Sequence, residues 1–482
     1  RDDLHREVYR TQGRLTSCFG YDPMGRKSWQ FASTLPADKL SGVLGSESPQ
    51  LLVEHAYNPI HRRYQYDPAG ELIRTLDKLR GEIKYEYEAN GQLHSRDTGK
   101  LVDSEEFRYD AAANRLNFNT SRFDHVKDNR LKQWRDQEYT YDPWGNLVEK
   151  RSGLAKWQTF TYDCENRLVK AETLVNSQLH STGTYQYDSL GRRVAKQSEV
   201  NGQAQHKRFL WQGLRMLREE QPGQSSLYIY EPGSYAPLAR VDQREGEAEN
   251  TLYYFHTDQI GTPLEMTDTD GQIVWQATYK AWGSLEALTV NEVEQNLRFQ
   301  GQYFDEETGL HYNTFRYYDP EVGRFITQDP MGLDGGSNLY QYVGNPTGWI
   351  DPLGWMPFDA SGRPLSSSQY SVWTRVEMPA ELHGSGRATH FRYANEELYN
   401  RTVKYPELKS ALPPEVVEHI QPGPRGGFSD RSPPSHSWHH NAQSPTDIEL
   451  IPRSQHKAPG PVQNSLHPNQ QGGFKKLQNS AC

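Results

Sequence analysis

YTYDPWGNLVEK, residues 139–150, carries the pattern that decides the fold. An aromatic-x-Tyr-Asp run leads into a turn, and the chain leaves on the apolar pair Leu147-Val148. Abundant Tyr flanked by Asp, Asn and Gly suits a strand ending in a tight turn, so the stretch reads as strand, turn, strand: a β-hairpin. Working outward, the unit recurs upstream as FGYDPMGRKSW (19–29), YQYDPAGELIR (64–74), YEYEANGQL (85–93) and FRYDAAANRL (107–116). Downstream it recurs as FTYDCENRLVK (160–170) and YQYDSLGRRVAK (185–196). The Tyr anchors are Tyr21, Tyr66, Tyr87, Tyr109, Tyr141, Tyr162 and Tyr187. A lone hairpin cannot bury its face, whereas stacked hairpins share a continuous sheet. Each Tyr is expected to pack on the next unit, and each Asp to accept backbone N–H bonds of its own turn.

Composition points the same way. The chain has 482 residues, enough for two or three domains. It is 12% aromatic with 29 Tyr, yet its mean hydropathy is −0.90, as many short strands with a large surface would give. The formal charge of −9 is uneven: Lys+Arg and Asp+Glu number 13 and 11 from Met356 onward, leaving 40 and 51 before it. No segment resembles a basic nucleic-acid arm. Cys18, Cys164 and Cys482 are too few and scattered for a disulfide framework or a Cys-based zinc site. No stretch is apolar enough to span a membrane, and Arg1-Asp2-Asp3 does not begin a signal peptide. The start falls mid-pattern, so any cellular address is expected on preceding sequence.

Further on, the repeats give way to FHTDQIGTPLEMTDTDGQIVWQATYKAWG (255–283), then NLRFQGQYFDEETGLHYNTFRYYDPEVGRFITQDPMGL (296–333) and NLYQYVGNPTGWIDPLG (338–354). With the Tyr-Asp units, these stretches resemble the YD-repeat Rhs family from about Tyr21 to Gly354. The resemblance implies a mainly β fold, a hairpin spiral closing into a hollow shell. It places the shell at 1–283, a core that plugs it at 284–355, and an enclosed toxin domain of α+β (ββα-metal) type at 356–482. Composition alone would give a β-solenoid of hairpins, without the cavity.

Two Asp-Pro-x-Gly units, Asp329–Gly332 and Asp351–Gly354, stand at the boundary where the repeats end. Peptide hydrolysis by two carboxylates needs one ionised to activate water and one protonated to polarise the carbonyl, a division that close approach imposes. The following Pro removes a donor and stiffens each backbone. The competing reading is that both Asp residues only cap turns. The resemblance favours self-cleavage. Its matching aspartates form an aspartyl-protease-like site that cuts after the second Asp-Pro-x-Gly-hydrophobic unit, which places the scissile bond at Trp355–Met356. The family usually has Leu where this chain has Trp355. Arg324, just before the first Asp, is expected to orient or charge-balance the pair.

Beyond Met356 the repeats stop, and eight of the 17 His fall in this last quarter. A leader and two short helices are expected over 356–421. SWHHNAQSPTDIELIPRSQHKAPGPVQNSLHPNQQGGF then reads as strand, turn, strand, helix. Phosphodiester hydrolysis needs an activated water, a Lewis acid and a stabilised leaving oxygen. Neighbouring His on a strand point opposite ways, so one can ligate metal while the other acts as base. The segment resembles the WHH branch of HNH/endonuclease VII toxin nucleases over about 422–474. That resemblance implies His439, His456 and His467 as ligands of one divalent metal ion (Mg, Mn, Zn or Ni) and His440 as general base. Asn441 follows the pair. Arg453, Lys457, Lys475 and Lys476 are candidate phosphate contacts. His383, His390, His419 and His436 read as surface or turn residues.

The resemblance further implies an antibacterial effector secreted by a bacterial machine, most naturally type VI. Its expected partners are nucleic acid with DNA favoured, a cognate immunity protein, and a spike or adaptor/chaperone engaging missing N-terminal sequence. Its site of action is the target-cell cytoplasm, and homodimerisation is compatible with it. An insecticidal toxin-complex component and a non-enzymatic YD-repeat adhesion protein are the alternatives; the His cluster argues against the second.

Overall fold

The structure, a computed structural model, describes residues 1–4, 6–35, 39–40, 58–116, 126–332, 338–355, 357–359, 374–404, 412, 414–424, 426–441, 445–456 and 474. Met356, Lys457, His467, Lys475 and Lys476 lie outside the described residues.

Two long antiparallel meanders dominate. An eight-stranded sheet runs from Tyr9 to Glu106 and a fifteen-stranded sheet from Gln133 to Asn291, each with its strands in sequence order. Strand pairing slips by one residue immediately before Tyr21, Tyr66, Tyr87, Tyr141, Tyr162 and Tyr187. Such a bulge bends its strand and raises the local twist, so a bulge in six of the seven units curves the sheet steadily. The Asp after each Tyr holds the turn as expected: Asp22, Asp67, Asp110, Asp142, Asp163 and Asp188 each accept, through Oδ1, the N–H four residues on, at 2.8–3.0 Å.

The Tyr residues differ from expectation in direction. Five hydroxyls reach back to the preceding unit: Tyr66 to Lys27 O, Tyr87 to Leu72 O, Tyr109 to Leu93 O, Tyr162 to Leu147 O and Tyr187 to Leu168 O, at 2.6–2.9 Å. Trp211 continues the series with Nε1–H donated to Arg193 O at 2.8 Å. The hairpins also run past residue 283, because Leu285–Asn291 pairs with Ile273–Tyr279.

The first sheet packs against the last strands of the second, which makes the ribbon a spiral. Arg62 bridges Asp77 and Glu265, and Arg80 joins the same two carboxylates at 3.1 and 2.5 Å. These charges are buried, and the mutual pairing offsets the cost of removing them from water. The core docks similarly. Its four-stranded sheet, Tyr303–Phe325, sets Asp305 and Glu307 against Arg193 and Lys196, and Asp319 against Lys150, at 2.5–3.0 Å.

The carboxy-terminal unit is a three-stranded antiparallel sheet with Asp447–Pro452 between Thr374–Glu377 and His436–His440. The helix Arg387–Lys404 buries a stripe of His390, Ala394, Leu398 and Thr402, four residues apart and therefore on one face. A single turn, Arg453–His456, follows the central strand. Strand, strand, helix is the order read from the sequence. The expected division at 421/422 separates no cores, since Val376, Ala394, Leu398 and Val416 pack with Trp438, Ile448 and Leu450 in one cluster. Among the described residues no helix is long and apolar enough to cross a membrane.

Candidate functional site

The structure brings Asp329 and Asp351 together around a residue the sequence reading missed. Arg316 Nη2 lies 2.9 Å from Asp329 Oδ2 and 3.3 Å from Asp351 Oδ2. All three side chains are buried, and the guanidinium sits 3.6 Å over the Phe325 ring. Asp329 Oδ1 accepts Met331 N–H at 2.9 Å and Asp351 Oδ1 accepts Trp355 N–H at 3.0 Å, so each also organises its own turn.

Burial pushes Asp351 up to about 7, against the opposing pull of Arg316. Burial likewise raises Asp329 and lowers Arg316. Two carboxyl groups on one cation, both raised by burial, can divide the roles of acid and base. Arg324 does not reach the pair: its Nη2 donates to Asn129 O, and its guanidinium lies 4.9 Å from the Tyr340 ring centroid. The strand pairing of Asp319 with Arg324 directs it to the far side of the hairpin from Arg316. The signal for Arg316 was its place in FRYYD, where a core-facing cation demands carboxylate partners.

In the carboxy-terminal sheet His439 and His440 are both buried and face opposite ways. Trp438 and His440 face the long helix: Trp438 Nε1–H donates to Asn395 Oδ1 at 2.8 Å, and His440 Nε2 lies 2.7 Å from His390 Nδ1. His390 is therefore a buried partner of the expected base, not a surface residue. Burial, reinforced by His390, takes His440 down to about 3, so it is neutral at physiological pH. His439 looks the other way, toward His456, with ring centroids 5.4 Å apart.

Glu449, opposite His439 in the strand register and fully buried, accepts bonds from Asn441 Nδ2 at 3.0 Å and Arg375 Nη2 at 2.5 Å. It was not anticipated, because IELIP reads simply as an apolar strand. Two expected metal ligands thus meet; among the described residues no cluster of three ligating side chains forms. Arg453 is not placed as a phosphate contact: its guanidinium binds Pro433 O and His436 O at 2.9–3.2 Å. His436 is buried beneath it, again unlike a surface residue.

The repeated turns, bulges and backward-reaching tyrosines have a counterpart among known proteins, for the family model of the teneurin YD-shell matches residues 51–345. The chain belongs to that family. Similar proteins include "Double-stranded DNA deaminase toxin A" of Burkholderia cenocepacia, 45% identical over 73% of this chain and 25% of that one. "Toxin protein Tse5" of Pseudomonas aeruginosa is 31% identical over 73% of this chain and 31% of its own length. "Probable deoxyribonuclease RhsA" of Dickeya dadantii is 33% identical over 71% and 24%. This YD-shell chain spans about a quarter to a third of the length of these relatives.

Proposed function

We infer that this chain is the shell, plug and cargo of an antibacterial Rhs effector, in which the aspartate pair frees a metal-dependent nuclease. The bridging of Asp329 and Asp351 by Arg316 carries the reading, because a buried acid–base pair beside the plug-to-cargo junction has no need of that chemistry if it only caps turns. Asp329 would take a proton from water as its oxygen bonds to the Trp355 carbonyl carbon. Asp351, in its acid form, would donate as the C–N bond breaks and Met356 leaves as the amine.

In the cargo, His439 and His456 with His467 would hold one divalent metal ion, which when bound would polarise a scissile phosphate and activate water. His440 is read as the general base; neutral and held by His390, it lies on the opposite side of the strand from His439 and His456. The Dickeya relative's name supports a nucleic-acid target, with DNA favoured. The Burkholderia relative is named a deaminase; the Pro-Cys-x-x-Cys unit of zinc deaminases does not occur in residues 356–482, whose one cysteine is Cys482. Secretion through a type VI machine, action in the target cytoplasm and protection by an immunity protein follow from the effector reading. So do an adaptor or spike at preceding sequence and compatibility with homodimerisation.

The test compares wild type with Asp351→Asn on a denaturing gel with intact masses. Fragments meeting at Trp355–Met356 in wild type and one band in the variant support the reading. The cargo is then assayed on plasmid with Mg²⁺ or Zn²⁺ beside His440→Ala. One intact band in both proteins overturns self-cleavage.

A further inference from the structure

A four-residue turn, Asn313–Arg316, touches the segment before the expected cut at every second residue. Asn313 Nδ2 donates to Asp351 O at 2.8 Å. Phe315 N–H donates to Leu353 O at 3.2 Å. The Phe315 ring stacks on the Trp355 indole with centroids 4.1 Å apart and planes 10° from parallel. Arg316 then supplies the bridge between the two carboxylates. One short turn therefore holds the backbone of 351 and 353, the side chain of 355 and the reacting groups in a single frame.

The turn is not relaxed. Thr314 has φ of 54°, the left-handed region that a β-branched residue adopts only where its surroundings impose it. The two segments are also in close contact: a Cβ on Gly354 would stand 2.9 Å from Asn313 O, and Gly354 itself has φ of 69°. Trp355 Nε1 has no hydrogen-bond partner among the described residues, so its ring face, not its polar edge, is what the turn recognises. Offset aromatic stacking would favour a large flat side chain here over a small one.

We propose that Phe315 is the specificity-determining residue of self-cleavage, seating the aromatic side chain at position 355 and so selecting the peptide bond that follows it. The proposal rests on the self-cleavage reading. Phe315 touches neither carboxylate; it fixes which carbonyl is presented to them.

The experiment follows cleavage of the full chain over time by intact mass in wild type, Phe315→Ala, Phe315→Tyr, Trp355→Ala and Trp355→Phe. Phe315→Ala is expected to slow cleavage roughly 10- to 100-fold and to spread the cut over neighbouring bonds, as misplacement of a reacting carbonyl does. Phe315→Tyr and Trp355→Phe restore a single cut, and Trp355→Ala matches Phe315→Ala. Because Trp355 lies at the edge of the plug, Trp355→Ala decides the matter if Phe315→Ala fails to fold. A single cut at the wild-type bond and rate in Trp355→Ala, or in a folded Phe315→Ala, overturns the proposal and leaves self-cleavage standing. An uncut wild type overturns both.

Discussion

His390 Nδ1 and His440 Nε2 face each other at 2.7 Å, and a carbonyl fixes which of them carries the proton. His390 Nε2 lies 2.7 Å from Leu382 O, an atom that only accepts. Nε2 of His390 therefore bears hydrogen, its Nδ1 bears the lone pair, and His440 must donate through Nε2–H. That leaves His440 Nδ1 as the lone-pair atom. Nitrogen NMR of ring-labelled protein should find His440 as the Nε2–H tautomer. His390→Ala leaves a buried N–H without its partner. It should lower the cargo's unfolding free energy by about 1–3 kcal/mol and reduce nuclease activity with it.

Arg316 and Arg324 make opposite predictions. Removing the buried Arg316 leaves two carboxyl groups without their cation, so Arg316→Gln should abolish cleavage and destabilise the plug by roughly 3–5 kcal/mol. Arg324→Gln should leave cleavage within about twofold of wild type. Gel time courses with thermal unfolding of each variant check both.

The position of Asp351 sets a pH dependence with a definite sign. A carboxyl raised from 3.8 to about 7 on folding binds its proton more tightly in the folded state, so its contribution is full below about pH 4 and is lost as pH rises toward 7. The swing is on the order of 4 kcal/mol. Asp351→Asn removes it, so the variant's melting temperature should gain on wild type from pH 5 to about pH 7 and level off above it. Cleavage by the wild type should decline above about pH 7 as the acid form disappears.

The tyrosine hydroxyls can be tested singly. Tyr162→Phe deletes one hydrogen bond to Leu147 O and should cost about 0.5–1.5 kcal/mol, seen as faster amide exchange in the strand Leu147–Ser152. Asp163→Ala should cost more, since Asp163 accepts from Glu165, Arg167 and the Arg167 side chain.

The hairpin repeat was legible because each unit states strand and turn within a dozen residues. Its direction was not, because Tyr162 packs equally well in a sequence pattern read forward or backward. Trp211 escaped notice because the unit had exchanged Tyr for Trp. The aspartates announced themselves through Asp-Pro-x-Gly, whereas Arg316 meets them only after a β-hairpin and a long loop have folded. His390 lies fifty residues from His440 and joins it through packing of a helix on a sheet. Its fourfold spacing with Ala394, Leu398 and Thr402 was the available clue, since that stripe is where a helix turns inward.

Six of the seven YD tyrosines, Tyr21, Tyr66, Tyr87, Tyr109, Tyr162 and Tyr187, grip a carbonyl that the chain has already passed, and this gives the wall an assembly order. A hairpin leaving the ribosome finds its anchor in the one before it and needs nothing yet unsynthesised. Winding can keep pace with translation, one unit at a time. Contacts such as Arg62 with Glu265 must wait for some two hundred further residues, and those of the plug for longer. In the proposed effector the cargo is translated after the hairpins that would surround it. On the proposed effector reading, placing the cargo after the hairpins makes protection of the producer a matter of timing as well as enclosure.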